Sequence, residues 1–115
     1  MMLPIPPTFL EQVDTLIQQN ITNEDLSTDQ LAELLCISSS QVYRKIKRQT
    51  GYSPSSYIRN KRLENSKYLI QQSDLSLSEI AYSLGFSCLS YFSRCFSEYY
   101  GFPPSNLRAE VTAQI

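Results

Sequence analysis

Apolar residues recur along this chain at three- and four-residue intervals, and no stretch alternates apolar and polar in the manner of a strand. The elements predicted are therefore helices. Phe9, Leu10, Val13, Leu16 and Ile17 form the apolar face of a first helix, opened by the capping-box spacing Thr8-x-x-Glu11. Leu31, Ala32, Leu34 and Leu35 form the inward stripe of a second, short helix that follows Ser27-x-x-Gln30. A turn at Cys36-Ile37-Ser38 leads into a third helix, capped by Ser38 with Gln41 and running to about Gln49, with Val42 and Ile46 toward the core. Ser53-Pro54 supplies an N-cap and a first-turn proline. From there Tyr57, Ile58, Leu63, Tyr68, Leu69 and Ile70 carry a helix to about Gln72, a rod of about 25 Å.

The same pattern then returns. Leu26–Ser38 lines up 49 residues on with Leu75–Ser87, and after one extra residue in the second copy the offset becomes 50. Val42-Tyr43-Arg44-Lys45-Ile46 then matches Phe92-Ser93-Arg94-Cys95-Phe96, and Gly51-Tyr52-Ser53-Pro54-Ser55 matches Gly101-Phe102-Pro103-Pro104-Ser105. Ser76-x-x-Glu79 opens a short helix with Ile80, Ala81 and Leu84 inward; a turn follows at Gly85-Phe86-Ser87, and the next helix runs from near Ser87 or Cys88 to about Tyr100. Gly51 and Gly101 stand where a left-handed closing residue is wanted. Helix, tight turn, helix is the helix-turn-helix unit. Two copies are too few for a solenoid but suit two small lobes of one design. The expected fold is all-α, about seven helices, with two helix-turn-helix lobes joined by a long central helix. The division expected is 1–7 as a linker remnant, 8–52 as the first lobe, 53–72 as the connecting helix, 73–108 as the second lobe and 109–115 as a frayed tail.

Composition changes the picture through charge. Over 115 residues the net charge is −1 and the pI about 5.3, a bulk balance that argues against a nucleic-acid partner. The balance is a cancellation. Residues 1–38 hold Glu11, Asp14, Glu24, Asp25, Asp29 and Glu33 and no base. Residues 39–68 hold Arg44, Lys45, Lys47, Arg48, Arg59, Lys61, Arg62 and Lys67 against Glu64 alone, a net of +7. Residues 69–115 hold Arg94 and Arg108 against four acids. A charge run of this kind suits a solvated helix face as well as a partner's phosphates.

Catalysis has no visible candidate. The chain has no His, the commonest general base, and its three cysteines, Cys36, Cys88 and Cys95, form no C-x-x-C pair. Neither a disulfide framework nor a Cys/His zinc site is expected, and the cysteines read as small buried hydrophobes. No nucleophile elbow, phosphate-binding loop or metalloprotease motif stands in the sequence, so no enzyme activity, metal or cofactor is expected.

With Val42 and Ile46 inward, the opposite face of the third helix carries Ser40, Tyr43, Arg44 and Lys47; with Phe92 and Phe96 inward, its counterpart carries Ser90, Ser93, Arg94 and Ser97 at the same spacing. Short polar residues around one arginine suit a major groove, since Arg can take guanine O6 and N7 together and Ser or Gln can reach base edges. Leu89 and Cys88 can meet a thymine methyl.

These residues resemble the AraC/XylS family of bacterial transcription regulators. The second half carries Ile80-Ala81-x-x-Leu84-Gly85-Phe86-Ser87, then Tyr91-Phe92-Ser93-Arg94-x-Phe96, then Gly101-x-x-Pro104-Ser105 and Arg108. The first half adds Leu31-Ala32, Ser38, Tyr43-Arg44-Lys45, Lys47, Thr50-Gly51, Ser53-Pro54 and Tyr57-Ile58-Arg59, so the likeness spans residues 9–108. The resemblance implies a seven-helix DNA-binding unit whose two recognition helices enter successive major grooves. It places base contacts at Ser40, Gln41, Tyr43 and Arg44 and at Leu89, Ser90, Ser93 and Arg94. Phosphate contacts are expected from Lys47, Arg48, Arg59, Lys61, Arg62, Ser27 and Ser76. It also implies double-stranded DNA and RNA polymerase as partners, an N-terminal sensory or signalling domain if the chain is a C-terminal piece, and a place in the cytoplasm, at the nucleoid. Two residues depart from the family pattern. Cys36 stands where a turn glycine is common, and Ser97-Glu98 replaces the lysine usual after Phe96.

Two functions remain in view: sequence-specific DNA binding with transcription regulation, and a helical protein-interaction module that retains the fold, to which the acidic first third and low pI lend support.

Overall fold

A computed structural model describes residues 5–113, and among them every regular element is a helix. In chain order these are α1 (Phe9–Gln19), α2 (Thr28–Leu35), α3 (Ser39–Thr50), α4 (Pro54–Gln72), α5 (Leu77–Ser83), α6 (Leu89–Tyr100) and α7 (Pro104–Ala113). The caps explain where they begin. Thr8 and Glu11 form a reciprocal box, the Glu11 N–H donating to Thr8 Oγ1 at 3.2 Å and the Thr8 N–H to Glu11 Oε2 at 3.1 Å. Ser38 and Gln41 do the same for α3. Ser27 and Ser76 make only half of the box, each accepting from the backbone N–H three residues on. Ser53 Oγ accepts from the Ser56 N–H at 3.3 Å ahead of the buried Pro54.

Both inner turns are built alike. The Ile37 N–H reaches back to the Ala32 carbonyl at 3.1 Å and the Phe86 N–H to that of Ala81 at 3.0 Å, the six-to-one bond of a Schellman ending. That ending needs a left-handed residue, and it falls on Gly85 (φ 85°) in the second copy and on Cys36 (φ 57°) in the first. The turn thus accepts a non-glycine residue in the left-handed region. A left-handed β-carbon costs ~1–2 kcal/mol, and glycine returns part of that through its freer unfolded chain. Cys36 is exposed, so no packing is lost. Cys36→Gly is expected to raise stability by about 0.5–1 kcal/mol in urea melts; a lowered midpoint would contradict the strain.

The chain divides into two compact units, Met1–Asn20 with Leu26–Tyr57, and Ile21–Asp25 with Ile58–Ile115. In the first, Val13, Ile17, Leu31, Val42 and Ile46 are buried, Ser39 Oγ donates to Asp29 Oδ1 at 2.5 Å to tie α3 to α2, and Tyr57 Oη donates to Asp14 at 2.5 Å. Leu34, expected inward, is 52% exposed. At ~100° per residue it lies about 110° from the middle of the arc marked by Leu31, Ala32 and Leu35. It lines a groove of about 360 Å³ with Pro7, Gln12, Leu16 and Leu35.

The second unit has an aromatic core. Phe92 and Phe96 are fully buried, with ring centroids 5.9 Å apart, and Phe96 meets Tyr100 at 4.6 Å and Phe102 at 5.9 Å. Cys95 belongs to this core, whereas Cys36 and Cys88 are exposed, because the last two occupy turn and cap positions. On α4 the stripe Ile58, Arg62, Ser66, Ile70 is buried throughout. Tyr68, one of the residues expected to carry this helix, points away from this stripe and is 65% exposed. Arg62 explains why Ile21–Asp25 groups with this unit: its guanidinium donates to the carbonyls of Ile21, Leu84 and Asn23, the last at 2.6 Å. A β-carbon on Gly85 would come within 2.8 Å of the guanidinium carbon, so that residue is glycine for space as well as for φ.

α7 runs five residues past Arg108, the expected end of the second lobe, to Ala113; Gln114 and Ile115 of the expected tail, and residues 1–4 of the expected linker, lie outside the described residues.

Candidate nucleic-acid interface

Each inner helix pair positions one exposed polar face. On α3, complete burial of Val42 and Ile46 sets the phase of the helix, so Ser40, Tyr43, Arg44 and Lys47 share the outward side and all four are exposed. On α6, Phe92, Cys95 and Phe96 go inward; Ser90 and Arg94 are exposed, and Ser93 is half-buried. Leu89, at the start of α6, is 37% exposed, enough to offer an apolar contact at the helix tip. Both faces are free of acidic side chains at these positions.

The two arginines are held differently. Arg44 makes no hydrogen bond or ion pair among the described residues. Arg94 lies with its guanidinium carbon 5.4 Å from the centroid of the Tyr91 ring. Gln41 already has work to do, since its Oε1 accepts from the Ser38 N–H at 3.0 Å, leaving its amide NH₂ as the end able to reach a base.

The expected phosphate contacts divide. Arg48 is exposed on the last turn of α3. Lys47 donates from Nζ to the Gly51 carbonyl at 3.0 Å, closing its own helix with a positive charge at the negative end of the dipole. Lys61 pairs with Glu64 at 3.5 Å, and Arg59 is half-buried. Ser27 and Ser76 are exposed N-caps whose oxygens accept from the Gln30 and Glu79 N–H groups at 3.3 and 3.1 Å.

Arg62 is a correction. It is 5% exposed and spends its donors on three backbone carbonyls, so it cannot contact phosphate. Its partners are carbonyls rather than carboxylates, and burial lowers its pKa from the ordinary guanidinium value by desolvation. The sequence carried a signal for this, the four-residue spacing of Ile58, Arg62, Ser66 and Ile70 along one face. Tyr91 is a residue sequence reasoning passed over. The signal there was an aromatic three positions before an arginine on one helix.

The helix-turn-helix domain family matches residues 31–110. A transcriptional regulator from Chromobacterium violaceum, of the AraC-type DNA-binding-domain class, superposes with a TM-score of 0.79 at 33% identity, over 84% of this chain and 86% of that one. The chain is an AraC/XylS-family DNA-binding domain. Its likeness extends to the transcriptional activator RhaS of Mannheimia succiniciproducens, 33% identical over 90 residues, which are 78% of this chain and 34% of that protein. A histidine kinase, P4, of Formosa agariphila is 26% identical over 110 residues, 96% of this chain but 8% of the kinase. This AraC-type domain thus spans about a third of the activator and a small part of the kinase. Among its described residues no helix is long and apolar enough to cross a membrane.

Proposed function

We propose that this domain binds double-stranded DNA in a sequence-specific manner and so regulates transcription, with α3 and α6 as the recognition helices, each in a major groove. The observation that carries the reading is the pairing of two outward faces, Ser40/Tyr43/Arg44 and Ser90/Ser93/Arg94, on helices whose phase is set by buried partners at matched positions. Such a face admits base edges, and one arginine on each can pair with guanine in two-pronged fashion. Successive grooves are the arrangement the family resemblance implies, so selected sites would show two half-sites about 10 base pairs apart. Tyr43 and Gln41 add contacts on the first helix, Leu89 an apolar one on the second, and Lys47, Arg48, Arg59 and Lys61 with the hydroxyls of Ser27 and Ser76 hold phosphates. RNA polymerase at the promoter, a sensory or signalling domain on the N-terminal side, and the cytoplasmic nucleoid as its place belong to the same proposal.

Selection of bound sites from a random DNA pool tests this reading. On the selected site Arg44→Ala and Arg94→Ala are each expected to cost ~1–3 kcal/mol and to relax preference at one base pair. Full affinity and unchanged preference in both variants would refute the groove assignment. Failure to shift random duplex at low salt would leave the protein-interaction module as the reading.

A further inference from the structure

We infer that Tyr91 is a positioning residue that fixes the reading geometry of Arg94, so that α6 discriminates bases more sharply than α3; the inference rests on the DNA-binding reading above. At the offset of 50 between the two helices, Arg44 answers to Arg94 and Gln41 to Tyr91. The second pair differs in chemistry and in task. Gln41 closes a capping box with Ser38, and nothing among the described residues holds Arg44. In α6 the N-cap is Cys88, which makes no side-chain cap bond, and the residue at the Gln41 position is instead an aromatic ring.

That ring is anchored. Tyr91 lies 6.0 Å from the Phe86 centroid at 56°, and Phe86 meets Phe92 edge-on at 5.1 Å, so the stack beneath Arg94 ends on a fully buried side chain. A guanidinium over a ring face within about 6 Å is attracted by the ring quadrupole, which restricts where its fork of donors can point. An arginine already confined gives up less freedom on meeting a base, and it cannot swing to a neighbouring base or phosphate when the base is wrong. Arg44 keeps that freedom and tolerates mismatches.

The test measures binding to the selected site and to single-base-pair variants of it by the wild type, R94A, Y91F, Y91L and Y91Q, with thermal melts of each. R94A identifies the base pair that Arg94 reads. Y91F keeps the ring face and is expected to retain wild-type discrimination at that base pair. Y91L and Y91Q remove it, and discrimination there is expected to fall by about threefold, with the base pair read by Arg44 unchanged. Tyr91 is half-buried, so two replacements of different polarity guard against one that fails to fold. Unchanged discrimination in the folded variant, or an equal loss at every base pair, would overturn the inference. If R94A alters no base pair, the reading of Arg94 falls and the inference with it; if R94A alters one and Y91L and Y91Q do not, only the inference falls.

Discussion

Arg62→Met is expected to cost ~3–5 kcal/mol and to lower the melting temperature by roughly 20 °C. Methionine keeps most of the stem volume, so the loss is chemical rather than a cavity. Arg62 is 5% exposed and donates to the carbonyls of Ile21, Asn23 and Leu84, which belong to two separate stretches of chain. Removing it takes a charged donor from each of these carbonyls, that of Leu84 buried, and hydrogen bonds to a charged group contribute ~1.5–3 kcal/mol each before non-additivity. A domain of this size has only about 5–15 kcal/mol in total. The segment Ile21–Asp25 loses its tie to α4, and the Leu84 carbonyl, at the turn that launches α6, loses its anchor. Arg62→Lys should recover only part of this, because an ammonium cannot spread its donors in a planar fork. Melts followed by circular dichroism decide it: a midpoint within two or so degrees of wild type would show the three bonds to be idle.

Arg62 also marks the limit of what the sequence could show. Element identity was legible where caps and periodicity agree: Thr8 with Glu11, Ser38 with Gln41, and left-handed glycines at Gly51 and Gly101. The inner faces of α3 and α6 were legible because Val42/Ile46 and Phe92/Phe96 leave one phase possible for each helix. Where several phases remain open, the reading fails. Leu34 reads as inward and Tyr68 counts among the apolar residues of its helix, yet on each helix the buried arc lies elsewhere and both side chains are exposed. A basic residue in a basic run reads as surface, since polarity along the chain carries no record of which carbonyls will lie beside it in the fold. The same holds for Lys47 and the Gly51 carbonyl, and for Tyr91 beneath Arg94, where the task of a side chain is set by its neighbours in space.

Burial of Arg62 takes one charge out of the basic segment's outer surface. Of the remaining bases there, Lys45 lies over the Phe9 ring, Lys67 over the Tyr100 ring and Lys61 beside Glu64, and Arg59 is half-buried. That leaves Arg44, Lys47 and Arg48, exposed within five residues of one helix, as the densest positive charge able to meet phosphate. Beyond that segment the chain offers Arg94 on α6, while Arg108 donates to the Leu75 carbonyl at 2.7 Å. Non-specific binding should therefore depend on α3. If four or five phosphates are neutralised, log affinity for random duplex should fall against log salt with a slope of about −4, shallower than the eight bases counted along the chain would give. The triple variant Arg44→Ala/Lys47→Ala/Arg48→Ala should reduce the magnitude of the slope by about 2–3 and the affinity near 0.1 M salt by about 100-fold or more. Arg94→Ala should change the slope by at most about 1 and act on base preference instead. Loss of Lys47 also removes a helix-closing bond to Gly51, so thermal melts must show that the triple variant remains folded. Anisotropy titrations on random duplex across a salt series separate the outcomes, and equal losses in the triple variant and in Arg94→Ala would show that the charge on α3 does not set the electrostatic grip.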